Sequence, residues 1–539
     1  MSLNDLLSRG YFPKELPNPF VTTSFANLVT SHLGPLPGDL NKATLPISKK
    51  PPSLQVSKPY RYSHARGGLL RRHLAVPNPI HFYLLCSEIM QNWSELTPFV
   101  SGSEFSATAP VFSPKGRALQ GKHPQNRPAL ARQTRLNNRY ILQTDITRFY
   151  HSIYTHSIPW AIHTKGTAKS DRSALLLGNR LDYWIRMAQD GQTVGIPIGP
   201  DTSLLLAEIL MHRCDEALVS KIGPVQGHRF IDDYELGFRD RSKAEDAFHL
   251  LESCIGEYEL ALNAKKTNVL TLPLPLEHLG FSTLRGVTFR KTSGYEASDI
   301  QFYFDKMFEL HDSYPEESFI QYGVARFRHQ KVQDKNWPLL ESLLLLCVTP
   351  EPACLPYVLE VINACSNAGA TINKDGLEAI LNALIIEHTG LGHSSEVAWA
   401  LWGCLALGLP IHSGAVKVLQ SCEDSAVVLL ALDCERNGLT LTPLDKALWD
   451  SLMTDASLYD EHWLFAYEAN IKGWLRSTKR KDFVASDKKF GFLKANGVSF
   501  YDAGLAAPIE KGGPVTIPKP PAASLTPPDD LDDYGLTII

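Results

Sequence analysis

The hydrophobic and polar positions divide the chain into segments of different period. In residues 57–300, short runs with the period of β-strands alternate with amphipathic helical segments. Residues 301–485 hold a succession of apolar segments at helical spacing, separated by Gly, Pro, Ser or Asn. This pattern predicts stacked antiparallel helices in an irregular all-α helical-repeat domain. Residues 1–56 are predicted to form an extended N-terminal arm, and residues 486–539 a C-terminal extension with a disordered, Pro-rich and acidic tail.

The central elements of the first part follow the order strand, helix, hairpin, helix, strand. This order predicts an α+β fold that resembles a split β-α-β sheet. The first strand ends at Asp145, and the hairpin carries Asp232 and Asp233 at its turn. In chain order, the predicted elements are residues 139–150, 203–221, 228–238, 242–260 and 268–274.

The adjacent carboxylates of Asp232 and Asp233 lie between two apolar runs. Two like charges about 4 Å apart repel by roughly 4 kcal/mol at an effective dielectric constant of 20. Such a pair therefore needs either open water or a bound cation. The pair alone does not decide between a solvated acidic turn and a metal site.

The composition is that of a globular protein, with 539 residues, 44% hydrophobic and 20% charged residues and a net charge of −4. The length predicts two or three domains. No run of 18 apolar residues occurs, and the first residues lack the features of a signal peptide, so we expect a cytoplasmic protein without a membrane span. The nine cysteines show no CxxC pair and no paired Cys/His spacing, which disfavours zinc and disulfides and fits a reducing compartment.

Two segments are strongly basic although the total charge is near zero. Residues 57–73 carry five Lys or Arg and no acid, and residues 105–144 carry seven and no acid. A solvated protein surface normally mixes both signs, so twelve cations without an anion suggest a polyanionic partner. Phosphate groups of nucleic acid are the natural candidate.

Five motifs in order resemble the palm of reverse transcriptases. The element FIDDY resembles the YxDD box, with Phe230 in the place of the usual Tyr, and residues 64–89 resemble the fingers segment. The run FYHSIYTHSIPWA, together with the second motif and the helical C-terminal half, resembles the bacterial abortive-infection and "unknown group" reverse transcriptases, which act in anti-phage defence. In chain order, the motifs are DITRFY (145–150), GIPIGPDTS (195–203), FIDDY (230–234), NAKKT (263–267) and LEHLGF (276–281).

This resemblance implies a polymerase right hand, with fingers and palm in residues 57–300, followed by the helical-repeat domain. Nucleotide transfer of this kind uses two divalent cations about 3.5–4 Å apart. The expected cofactor is Mg²⁺, two ions per site with Mn²⁺ possible, held by Asp145, Asp232, Asp233 and the carbonyl of Ile146. Lys266 matches the lysine that protonates the departing pyrophosphate, although Lys265 is adjacent.

The resemblance also assigns substrate-binding residues. Tyr150 matches the aromatic residue under the sugar, which selects deoxynucleotides by a clash with the 2′-hydroxyl. The glycine-rich loop lets the backbone approach the base pair closely. Arginines of the fingers are expected to bind the triphosphate through bidentate hydrogen bonds of their guanidinium groups. These further residues are Gly195, Pro197 and Gly199 in the loop, and Arg66, Arg71 and Arg72 in the fingers.

The expected partners are dNTPs and nucleic acid, namely a noncoding RNA template and/or a single-stranded DNA product, in an enzyme that is often homo-oligomeric. The DNA polymerase is RNA-directed or template-independent, and the sequence leaves both open. Two further alternatives also remain open. An RNA-dependent RNA polymerase shares the acidic motifs of the palm. A helical-repeat scaffold that carries an inactive polymerase domain would bind nucleic acid without catalysis.

Overall fold

All β-strands of the described residues lie before residue 272. A computed structural model of the chain describes residues 2–32, 55–67, 70–292, 294–477 and 482–505, so the predicted tail over 507–539 lies outside the described residues. The strands are β1 (Tyr60–Ala65), β2 (Arg71–Val76), β3 (Val111–Phe112), β4 (Leu119–Gln120), β5 (Tyr140–Thr144), β6 (Gln226–Phe230), β7 (Asp233–Phe238) and β8 (Asn268–Thr271).

Twelve helices of the described residues begin before residue 280 and surround these strands. They are α1 (Leu3–Arg9), α2 (Thr23–Ser31), α3 (Pro79–Gln91), α4 (Trp93–Ser101), α5 (Arg127–Arg135), α6 (Phe149–Ser152), α7 (Ser157–His163), α8 (Lys165–Ser170), α9 (Leu177–Met187), α10 (Asp201–Ile222), α11 (Arg241–Gly256) and α12 (Leu279–Gly286).

The four strands β5 to β8 form one antiparallel sheet in the order β6, β7, β5, β8. With α10 between β5 and β6, and α11 between β7 and β8, the chain has the β-α-β-β-α-β order of a split β-α-β sheet. The predicted strand, helix, hairpin, helix and strand are therefore confirmed.

The two faces of this sheet differ in polarity. Leu142 and Leu236 are paired across β5 and β7 and are fully buried, and α11 packs against both strands. The next pair, Gln143 and Glu235, points to the other face, because side chains alternate along a strand. The Gln143 amide donates to the Glu235 carboxylate at 3.2 Å. The sheet therefore has one face in the core and one polar face.

The N-terminal segment is helical and packed, which corrects the prediction of an extended arm for its described residues 2–32. The Tyr11 ring stacks on Phe82 of α3 at 4.1 Å between centroids, and Phe25 of α2 contacts Phe500 at 5.5 Å. Both Tyr11 and Phe25 are fully buried. These aromatic side chains join the beginning and the end of the described chain to one hydrophobic core.

The second half of the described chain contains helices without strands. These helices are α13 (Tyr295–Ser313), α14 (Phe319–Ala325), α15 (Trp337–Val348), α16 (Leu355–Asn367), α17 (Lys374–Thr389), α18 (Ser394–Leu407), α19 (Ser413–Leu419), α20 (Ser425–Arg436), α21 (Ala447–Ser451), α22 (Trp463–Ile471), α23 (Phe483–Ser486) and α24 (Lys488–Ala495). Helices near in sequence pack on each other, since α15 contacts α16, α17 contacts α18, α18 contacts α20, and α20 contacts α22.

The β1–β2 hairpin is fastened to the helical half by hydrogen bonds. The Tyr60 hydroxyl donates to Asp424 at 2.7 Å, and the backbone amides of Ser63 and Ala65 donate to Ser394 and Ser395 at 3.0 and 2.9 Å. These bonds connect the hairpin to α18 and to the start of α20. Among the described helices, none is both long enough and apolar enough to cross a membrane.

Candidate active site

The register of the central strand pair brings Asp145 and Asp233 together. Thr144, the last residue of β5, lies opposite Tyr234 in β7. One step further along the same antiparallel register, Asp145 lies opposite Asp233. Both side chains are on the polar face, because they are two residues from Gln143 and Glu235.

The turn of the β6–β7 hairpin adds the third carboxylate. Phe230 pairs with Asp233, so the turn consists of Ile231 and Asp232. Ile231 has a φ of +56°, in the left-handed region that a β-branched residue rarely adopts. The predicted hairpin is confirmed, with Asp232 in its turn and Asp233 at the first position of β7.

The three carboxylates act on one another electrostatically. Burial is the largest cause that raises the pKa of Asp232 from 3.8 to about 7, and the charges of Asp233 and Asp145 are the next largest causes in the same direction. The Asp232 carboxyl therefore holds its proton more tightly than an ordinary aspartate, and a bound cation would favour its ionised form.

Two basic side chains already neutralise part of this charge. The Lys266 ammonium donates to Asp145 Oδ2 at 2.8 Å, and the Arg127 guanidinium donates to Asp233 Oδ2 at 3.0 Å. Arg127 also lies over the Phe230 ring at 4.4 Å. The sequence placed Arg127 only in a basic segment. Its position at the start of α5, which packs against β6 and β7, was the missing information.

The donor set fits a divalent cation such as Mg²⁺. Asp145 Oδ1 is buried and has no hydrogen-bond partner among the described residues. Oxygen ligands from carboxylates and backbone carbonyls are those that Mg²⁺ prefers. Asp145, Asp232 and Asp233 would hold the cation, and Ile146 is placed next to them by its bridge to Leu262.

Tyr150, Arg66 and Arg72 lie on the same side as the carboxylates. Burial raises the pKa of Tyr150, and the charge of Asp232 is the next largest cause. Burial and then the charge of Arg72 lower the pKa of Arg66 to about 10, while Asp232 acts in the opposite direction. Arg66 and Tyr150 therefore lie in the electrostatic field of Asp232, and Arg72 lies close enough to act on both of them.

Arg71 lies elsewhere, which corrects its assignment to the triphosphate. Its guanidinium forms a bidentate pair with Glu396 of α18, with one contact at 2.9 Å, and donates to the Ser63 carbonyl at 2.7 Å. Arg71 and Arg72 are neighbours in β2, so their side chains point to opposite sides. Arg71 therefore fastens the hairpin to the helical half, and Arg72 faces the site.

The predicted loop is held by close backbone contacts. Gly195 has a φ of +86°, and Gly199 has a φ of +127° with Pro13 only 2.7 Å from the position of a Cβ. The Pro197 carbonyl accepts from the Ser203 hydroxyl at the start of α10. The two glycines thus have conformational and steric reasons for their identity, besides the predicted approach to a base pair.

A cavity of about 800 Å³ extends from Asp233 and Lys266 along the polar face of the sheet. It reaches Phe281, Arg285 and Tyr322 at its far side. The LEHLGF segment borders the cavity and begins α12, where His278 caps the helix by accepting from the Gly280 amide at 3.1 Å. The cavity is large enough for a nucleotide, and Asp233 is the one of the three aspartates that lines it.

Residues 86–283 match the family model described as "Reverse transcriptase (RNA-dependent DNA polymerase)". The match covers less than half of the chain and includes Asp145, Asp232, Asp233 and Lys266. The chain therefore contains a reverse transcriptase domain, and this domain is that of an RNA-directed DNA polymerase, a nucleotidyltransferase.

Solved structures of telomerase are similar to this chain at low identity. Apo telomerase from Candida tropicalis is 11% identical over 76% of this chain and 73% of that chain, with a TM-score of 0.30. Telomerase from Candida albicans in complex with a fragment of telomeric RNA is 14% identical over 75% of this chain and 69% of that chain, with a TM-score of 0.26. Such TM-scores are too low to inform the function. No curated protein matches the chain in sequence.

The raised pKa of Asp232 predicts a pH-dependent stability in buffer without divalent cations. Between about pH 4 and 7 the folded protein binds a proton at Asp232 that the unfolded chain has released. The free energy of unfolding therefore falls as the pH rises through this window. We expect Asp232→Asn to melt at a higher temperature than the wild type at pH 8, with a difference that vanishes near pH 4.

Thermal melts in EDTA at both pH values measure this difference. Asp246→Asn is the matched control, because Asp246 is an exposed residue of α11. Equal melting temperatures of wild type and Asp232→Asn at pH 8 would contradict the interpretation.

Proposed function

We propose that this protein is an RNA-directed DNA polymerase that transfers nucleotides from dNTPs with two Mg²⁺ ions. The observation that carries the proposal is the convergence of Asp145, Asp232 and Asp233 at the end of one sheet, within a reverse transcriptase domain. The partnerless oxygen of Asp145 and the raised pKa of Asp232 both suit a site completed by cations.

The roles of the other side chains follow from their positions. When bound, the cations activate the 3′-hydroxyl of the primer and neutralise the triphosphate. Arg66 and Arg72 bind the triphosphate as guanidinium forks. Lys266, which pairs with Asp145, donates a proton to the departing pyrophosphate. Arg127 now pairs with Asp233 and also lines the cavity, so it would be available to contact nucleic acid there if Asp233 held a cation.

The first prediction of this proposal concerns the carboxylates. Asp145→Asn removes a negative ligand at the centre of the site, so we expect dNTP incorporation on a primed RNA template to fall at least about 100-fold, equivalent to about 2.7 kcal/mol. Asp246→Asn should incorporate at the wild-type rate. Extension products on a denaturing gel measure the effect. Undiminished extension by Asp145→Asn would contradict the role of Asp145 as a metal ligand, and a wild type that extends no primer would favour the non-catalytic scaffold.

Tyr150 distinguishes a DNA polymerase from an RNA polymerase. If the ring excludes the 2′-hydroxyl, Tyr150→Ala should raise NTP incorporation about tenfold relative to dNTP incorporation, which corresponds to about 1.4 kcal/mol of selectivity. Tyr150→Phe keeps the ring and should retain the wild-type preference. Single-nucleotide incorporation with dNTPs and NTPs in parallel measures the ratio. A wild type that prefers NTPs would favour the RNA-dependent RNA polymerase.

We further propose that the polymerase acts in anti-phage defence as a homo-oligomer that copies a noncoding RNA or synthesises single-stranded DNA. The proposal rests on the sequence resemblance to abortive-infection reverse transcriptases and on the helical second half, α13 to α24. The hydrogen bonds between α18 and the β1–β2 hairpin give that half direct contact with the polymerase part.

A phage challenge tests this biological role. Phage should form at least about tenfold fewer plaques on cells that express the wild type than on cells that express Asp232→Asn/Asp233→Asn, because the proposed defence depends on polymerisation. The Asp246→Asn protein should protect like the wild type. Equal protection by the double variant at equal protein levels would indicate a scaffold instead.

A further inference from the structure

A fully buried charge cluster lies directly behind the turn that carries Asp232. It consists of Arg229 of β6 with Glu208 and Asp215 of α10, which are 0, 1 and 2% exposed. The Arg229 guanidinium donates to Glu208 at 3.0 and 3.1 Å and to Asp215 at 2.8 and 3.1 Å. Burying three charges is expensive unless the geometry satisfies all of them, so this arrangement needs a reason beyond stability.

The cluster reaches the turn through both backbone groups of Ile231. The Arg229 guanidinium donates to the Ile231 carbonyl at 2.6 Å. On the other side, the Ile231 amide donates to the Thr108 hydroxyl at 2.9 Å, and that hydroxyl donates to Glu208 at 2.7 Å. A closed ring of hydrogen bonds therefore runs from Arg229 through Ile231 and Thr108 to Glu208 and back.

Ile231 is the residue that needs such support. Its φ of +56° is unfavourable for a β-branched residue, and it directly precedes Asp232. A change in the φ and ψ angles of Ile231 would swing Asp232 away from Asp145 and Asp233. Strained backbone of this kind persists only where the surrounding structure holds it.

Further bonds fix the cluster itself. The Tyr234 hydroxyl donates to Asp215 at 2.5 Å, and Ser103 and Ser106 donate to Asp215 and Glu208 at 2.5 and 2.8 Å. Tyr234 immediately follows Asp233 and is also buried. The cluster thus contacts residues on both sides of the adjacent aspartates.

We propose that Arg229, Glu208, Asp215 and Thr108 are positioning residues for the metal-binding carboxylates: they hold the strained Ile231 and so aim Asp232 at the cation. The inference rests on the proposed function for the identity of the metal site. Residues that orient ligands from behind typically change metal affinity 10- to 100-fold when they are replaced.

Metal binding itself provides the test, without catalysis. Mn²⁺ is titrated into the full-length protein and free Mn²⁺ is followed by electron paramagnetic resonance. We expect Thr108→Val, which loses both hydrogen bonds of the hydroxyl, to raise the Kd for Mn²⁺ at least about tenfold. Thr108→Ser retains the hydroxyl and should stay within about threefold of the wild type. Asp145→Asn/Asp232→Asn should lose binding, which assigns the signal to this site.

Two further variants separate positioning from stability. Arg180→Lys disturbs another buried arginine, which pairs with Glu88 at 2.7 Å between α9 and α3. It should lower the melting temperature while the Kd for Mn²⁺ stays at the wild-type value. Tyr234→Phe removes one bond to Asp215 and retains the packing, so it should weaken Mn²⁺ binding about threefold or more even if Thr108→Val does not fold.

Wild-type Mn²⁺ affinity in folded Thr108→Val or Tyr234→Phe would overturn the positioning role, as would equally weak binding by Arg180→Lys. Incorporation of dNTPs by the wild type is assayed in parallel. A wild type that binds Mn²⁺ but incorporates no nucleotide would refute the proposed function, while the Kd values of the variants would still decide the positioning role.

Discussion

The mutual repulsion of Asp145, Asp232 and Asp233 is the constraint on which the structure of the site depends. Two unit charges 4 Å apart repel by about 4 kcal/mol at an effective dielectric constant of 20. The protein offsets this repulsion by pairing Asp145 with Lys266 and Asp233 with Arg127. The pKa of Asp232 is raised to about 7, so its carboxyl keeps a proton to a higher pH than an ordinary aspartate. In the proposed metal site, a divalent cation would take over the charge compensation that these contacts now provide.

The hairpin and the order of the elements follow from local patterns in the sequence. The alternation around Leu142 and Leu236 indicates which face of β5 and β7 is buried, and a turn of two residues fixes the register of the β6–β7 hairpin. The β-α-β-β-α-β order and the placement of Asp232 and Asp233 at one turn were therefore predictable. That Asp145 joins them was implied by the resemblance to reverse transcriptases, because β5 and β7 are distant in the chain and nothing local shows that they pair.

The residues that support the site were not predictable, because their partners are distant in the chain. Glu208 lies within the predicted helix 203–221, and nothing local shows that it is buried with Arg229 and Thr108 as partners. Arg71 was grouped with Arg72, although neighbouring side chains in a strand face opposite ways. Only the contact with Glu396 shows that Arg71 is the one that faces away from the carboxylates. Likewise, the Pro-rich N-terminus gave no sign of the aromatic contacts that make residues 2–32 a packed element.

The two faces of β2 connect the helical half to the nucleotide site. Arg71 holds α18 through Glu396, whereas Arg72, one residue later, acts on Arg66 and Tyr150 in the field of Asp232. Ser394 and Ser395 accept hydrogen bonds from β1, so α18 contacts both strands of the hairpin. If the proposed nucleotide site is correct, the helical half needs no contact with the nucleotide to support the arginines that bind it.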